Sequence, residues 1–77
     1  MIQVLLFARV QEEVGTDRLE ADVAGKSIKE LKRWMEDRYP VASLARTMTA
    51  VNEEFAGEDE VINEGDTVAF IPPVSGG

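Results

Sequence analysis

The sequence contains no cysteine and no histidine. Disulfides, thiolate nucleophiles and Ser-His or Cys-His pairs are therefore excluded, and a zinc site would have only oxygen ligands. No long apolar run is present either. The longest, Val4-Leu5-Leu6-Phe7-Ala8 and Val68-Ala69-Phe70-Ile71, have strand length, well short of the roughly 18 residues that cross a bilayer. Met1 leads straight into the first of them, with no basic segment and no cleavage-site pattern. That reads as no secretory signal, and a cytoplasmic location is expected. Basic residues are few: 8 Lys and Arg against 15 Asp and Glu give a formal net charge of -7. This balance disfavours nucleic acid and anionic membranes. It suits a protein partner with a basic docking surface, or it serves solubility alone.

What is present describes a small globular domain. Apolar residues make up 44% and charged residues 30%, which is not the profile of disorder. At 77 residues the chain is one domain with one thin core, room for about one helix against one sheet. A deep, self-contained active site is hard to build at this length, so a carrier, a binding module or a subunit is expected.

Ile2 to Val10 alternates between two faces and predicts a first strand, with Leu5 and Phe7 on the face away from Val4 and Leu6. Gly15-Thr16-Asp17 is a turn signal. Arg18 to Val23 alternates polar and apolar and predicts a second strand, paired with the first as a hairpin. After Gly25, Ser27-Ile28-Lys29-Glu30 has the form of a capping box, opening a helix that runs to about Arg38. Ile28, Leu31, Met35 and Tyr39 share one stripe of that helix, with Trp34 on its flank, and Pro40 stops it. Val41 to Arg46 reads as a short helical turn or loop with Leu44 inward. Thr47 to Asn52 is strand-like, its buried face undetermined, and Asn52-Glu53-Glu54 leads by a turn to Phe55. Asn63-Glu64-Gly65-Asp66 is a turn, Thr67 to Ile71 a last strand, and Pro72-Pro73 its end. Strands around a single main helix predict an α+β domain with a mixed sheet and the helix on one face. The acidic clusters Glu53-Glu54 and Glu58-Asp59-Glu60 read as solvated surface rather than metal ligands.

The last residues, Pro72-Pro73-Val74-Ser75-Gly76-Gly77, are the most informative. Two prolines stiffen the exit from the sheet, and two glycines without Cβ make the tip thin enough for a narrow tunnel. This shape suits presentation of a C-terminal carboxylate to another protein's active site. A frayed terminus would also fit.

The strand-helix order with its Gly-Gly ending resembles the β-grasp family of ubiquitin-like proteins. Ile71-Pro72-Pro73-Val74-Ser75-Gly76-Gly77 is similar to the end of molybdopterin synthase small subunits. So is the start, Val4-Leu5-Leu6-Phe7-Ala8-Arg9-Val10 with Val14-Gly15. Ala50-Val51-Asn52 and Gly65-Asp66 also sit where that family has them, so the resemblance covers essentially the whole chain. It implies one sulfur-carrier domain over residues 1–77, with 72–77 as a functional tail. An E1-like enzyme would adenylate the Gly77 carboxylate, and sulfur delivery would make a thiocarboxylate. The tail, thinned by Gly76, would enter the large catalytic subunit and give sulfur to a cyclic pterin precursor, in an assembly of two small and two large subunits. The chain would not be an enzyme alone. It would hold no non-covalent cofactor, AMP and sulfur being carried only covalently on Gly77. The resemblance places Phe55 and Ile71 at partner contacts, together with Pro72, Pro73, Val74 and Ser75, and Leu5 and Phe7 would complete the patch. Other pathways served by such carriers (thiamine thiazole, tRNA thiolation), a ubiquitin-like modifier and a plain interaction domain remain alternatives.

Overall fold

The computed structural model describes residues 1–42 and 44–72. Among the described residues five strands form one mixed sheet: β1 (Ile2–Leu6), β2 (Arg18–Ala21), β3 (Met48–Val51), β4 (Glu54–Phe55) and β5 (Thr67–Ile71). Their order is β2-β1-β5-β3-β4, with β1 and β5 parallel in the middle and the other pairs antiparallel. Two helices, α1 (Ala8–Val14) and α2 (Ile28–Arg38), and a 3-10 turn at Leu44–Arg46 complete it. The expected α+β fold, a mixed sheet with one main helix on one face, is the fold observed.

The core lies between that helix and the sheet. Ile28, Leu31 and Met35 of α2 are fully buried against Val4, Leu6, Val68 and Phe70 from the two central strands. Each large apolar side chain removed from water in this way contributes about 1.5–3 kcal/mol. Helix α2 opens on the capping box read from the sequence. The Glu30 amide donates to the Ser27 hydroxyl at 3.2 Å, and the Ser27 amide donates to the Glu30 carboxylate at 3.0 Å. Two further amides of its first turn, those of Ile28 and Lys29, donate to the carbonyls of Glu60 and Glu58 in the loop before β5. Those donors have no partner inside a helix, so the loop and the helix start satisfy each other. Trp34 is half-buried at the core edge, with the Arg38 guanidinium 4.2 Å above its ring.

The first strand is shorter than expected. It ends at Leu6, and the segment read as its continuation to Val10 belongs to α1. Ala8 takes φ 51, which breaks the extended run. Val10 and Val14, four residues apart, then face inward as neighbours on a helix do, buried and half-buried. Gly15 closes α1 in the left-handed conformation at φ 95, its amide donating to the Gln11 carbonyl. So β1 and β2 pair antiparallel, as expected, but a helix joins them in place of a tight hairpin turn. β2 itself stops at Ala21; Val23 is buried beyond its end.

Candidate functional site

The face of the sheet away from α2 is where the structure leaves apolar surface in water. Residues paired across a ladder share a face. Leu5 pairs with Ala69, Ala69 with Ala50, and Ala50 with Phe55. This is a single row across four strands, with two short side chains between two long ones. Ala50 and Ala69 make a floor, and Leu5 and Phe55 make the walls. The neighbouring row pairs Ile71 with Met48. Phe7, just beyond β1, and Pro72, just beyond β5, close one end of the resulting groove, and Asn52, Glu53 and Thr67 line the other. Phe55 is 70% exposed and Phe7 43%. Isolated exposed apolar residues are common on any protein; a continuous groove of them is the surface expected of a binding site.

Five residues singled out in the sequence, Leu5, Phe7, Phe55, Ile71 and Pro72, thus come together along one groove. The reason is register. Val68 and Phe70 point into the core, so Thr67, Ala69 and Ile71 must point out. The undetermined face of the third strand follows the same rule. Thr49 and Val51, opposite Phe70 and Val68, face the core side, while Met48 and Ala50 face out. Sequence reasoning missed Ala50 and Ala69. The alternation of β5 carried the signal for Ala69; for Ala50 the pairing with Ala69 was needed. Pro73, Val74, Ser75, Gly76 and Gly77, which the sequence marks as the tail and its reactive end, lie outside the described residues.

The end of the groove farthest from Pro72 is fixed by a polar clip. Asn52 (φ 50) and Glu53 (φ 72) form the left-handed turn between β3 and β4, a conformation in which Asn is favoured among non-glycine residues. The Asn52 side chain accepts from the Thr67 amide at 3.0 Å and donates to Asp66 at 2.9 Å. The other Asp66 oxygen accepts from the Asn63 amide at 2.9 Å. That backbone hydrogen bond, followed by the one from Asn52, holds the Asp66 carboxyl below its ordinary pKa. The clip joins the hairpin that carries Phe55 to the start of the strand that leads to the tail.

Among the described residues no group of acidic side chains is placed to hold a metal ion, and no helix is long and apolar enough to cross a membrane. The candidate site is the apolar groove with the strand, β5, that runs along it to Pro72.

Comparison with known proteins places the chain in a family. Residues 4–77 match the ThiS family. The molybdopterin synthase sulfur carrier subunit of Escherichia coli is 40% identical, over 100% of both chains. Among solved structures, small archaeal modifier protein 1 of Methanosarcina acetivorans superposes with a TM-score of 0.81 at 22% identity, covering 99% of this chain and 95% of that one. A chain from the complex of subunits 1 and 2 of molybdopterin-converting factor from Helicobacter pylori superposes with a TM-score of 0.67 at 23% identity, covering 99% and 97%. The two structural likenesses establish a shared fold, and the sequence match establishes kinship: this chain belongs to the ThiS family, among the molybdopterin synthase sulfur carrier subunits.

Proposed function

We propose that this chain carries sulfur as a thiocarboxylate on Gly77 and delivers it inside the large catalytic subunit of molybdopterin synthase. The observation that carries this reading is the 40% identity that spans the whole of this chain and the whole of the Escherichia coli sulfur carrier subunit. The fold adds a physical reason. β5 is the central strand that runs along the groove, and it passes through Pro72 into the Gly-Gly tail.

The chemistry proceeds in two displacements. A free carboxylate is resonance-stabilised and does not react with nucleophiles. The Gly77 carboxylate first attacks the α-phosphate of ATP on an E1-like enzyme, releasing pyrophosphate and leaving an acyl-adenylate. A sulfur nucleophile at the sulfide level then attacks the acyl carbon and expels AMP, leaving the thiocarboxylate. This anion is a far better nucleophile than the carboxylate and supplies the sulfur of the dithiolene. The chain brings no catalytic group to these steps; it offers a thin, reactive terminus. Ordering each tail residue in a partner's tunnel costs about 1–2 kcal/mol. The apolar groove offsets that cost by docking on the large subunit, with Leu5, Phe7, Phe55, Ile71 and Pro72 as contacts. Pro73, Val74, Ser75 and Gly76 would line the way in, within an assembly of two small and two large subunits.

The test is removal of Gly77. The truncated chain should fold as the full chain does and bind the large subunit, yet support no molybdopterin formation in a reconstituted synthase. Molybdopterin formation by the truncated chain would overturn the proposal. Isopeptide-linked conjugates, or activity only with a thiazole synthase, would move the chain to a modifier or to another carrier pathway.

A further inference from the structure

Pro72 lies between two hollows. One is the groove; the other is lined by Arg9 and Glu13 of α1, by Arg46 at the end of the 3-10 turn and by Thr47 after it. Phe7 and Pro72 line both. A body seated on the groove must therefore border the second hollow as well.

The second hollow sets two arginines around one acid, Glu13. The chain carries -7 overall and only 8 basic residues, yet two of them meet here from separate elements. Arg9 and Arg46 are both exposed. Among the described residues neither takes part in a hydrogen bond, an ion pair or a stacking contact. Elsewhere Lys32 pairs with Glu58, Arg38 lies on Trp34 and donates to its carbonyl, and Lys26 and Arg33 act through their charge on the Glu30 carboxylate. Two unengaged guanidiniums beside an apolar groove are planar forks whose natural complement is a carboxylate, taken by two parallel N–H bonds.

We propose that Arg9 and Arg46 form a docking clamp for acidic side chains of the large subunit, at the root of the tail. The inference rests on the reading of the groove as the large-subunit contact. The apolar groove supplies contact area without fixing rotation in the plane of the sheet. Two charge pairs beside Pro72 fix that rotation and aim the tail. Exposed pairs of this kind act mainly on association rate, on its salt dependence and on orientation.

The experiment is stopped-flow association of the full chain with the large subunit at low and high salt, for wild type, the double reversal Arg9→Glu/Arg46→Glu, the neutral pair Arg9→Gln/Arg46→Gln, and Ile71→Asp. Reversal should slow association by about tenfold at low salt, the neutral pair by less, and both differences should shrink as salt screens them. Each reversal makes the chain two charges more negative, so the sign is diagnostic. Faster association of the reversed chain would show a basic surface opposite the hollow and overturn the clamp. Unchanged rates in both arginine variants, with Ile71→Asp binding weakened, would overturn the clamp and leave the groove in place. Unchanged binding in all three would overturn both.

Discussion

Asn52 shows how one side chain can serve several parts of this molecule. Its backbone turns left-handed between β3 and β4, and its amide group ties Thr67 and Asp66 to that turn. Asn52→Ala should lower Tm by roughly 5 °C, by removing both hydrogen bonds and a residue tolerant of positive φ. Asp66 gives the clip a pH dependence. Its carboxyl is held below the ordinary range, as Glu30 is at the capping box, first by the backbone amide of Ser27 and then by its hydroxyl. A carboxyl whose pKa is depressed by folding contributes stability above its unfolded pKa and loses it as pH falls through the folded value. Stability should therefore be flat near neutrality and decline below about pH 4. Asp66→Asn should make the acid decline shallower, as followed by urea melts across pH. Ile71 and Phe70 make a sharper contrast, being adjacent in β5 but on opposite faces, half-buried and fully buried. Ile71→Asp should leave the melt of the isolated chain nearly unchanged and weaken large-subunit binding more than tenfold. The sequence carried this contrast, because the alternation of Val68 and Phe70 with Ala69 and Ile71 is complete within five residues.

At the scale of elements, α2 and α1 were unequally legible. The box Ser27-Ile28-Lys29-Glu30, the stripe of Ile28, Leu31 and Met35, and Pro40 are start, body and stop signals, and the helix obeys all three. Ser27→Ala should cost about 1 kcal/mol in thermal melts, because it leaves the Glu30 amide without its hydroxyl. α1 carries weaker signals. Its sequence, Ala8-Arg9-Val10-Gln11-Glu12-Glu13-Val14, follows an unbroken alternation from Ile2, has no side-chain cap at Phe7, and buries only Val10 fully. Period-two and helical spacing coincide at Val10, which satisfies both patterns. The distinguishing features were Val14 four residues on and Gly15 after it. The groove was legible in part for a similar reason. Its walls, Leu5 and Phe55, are large apolar residues that stand out in a sequence. Its floor, Ala50 and Ala69, depends on which strands pair and in what register, and pairing between β3 and β5 is a long-range property.

For the whole molecule, a parallel central pair puts the first and the last of the described strands, β1 and β5, side by side. The sheet buries one face under α2 and leaves the other as a groove that runs to Pro72. A domain this small has room for only one thin core, and the groove lies on the sheet face that the core leaves open. Fold class, the main helix and the wall residues could be read from the sequence. The short first helix, the groove floor and the arginine pair beside the tail root needed the third dimension. Whether Gly77 carries sulfur can be read by intact-mass spectrometry of the full chain after incubation with ATP, the activating enzyme and a sulfur source. The expected result is a mass gain equal to exchanging one oxygen for sulfur, mapped to Gly77 and absent when ATP is withheld. An unchanged mass with an activating enzyme shown to be active on another carrier would contradict it.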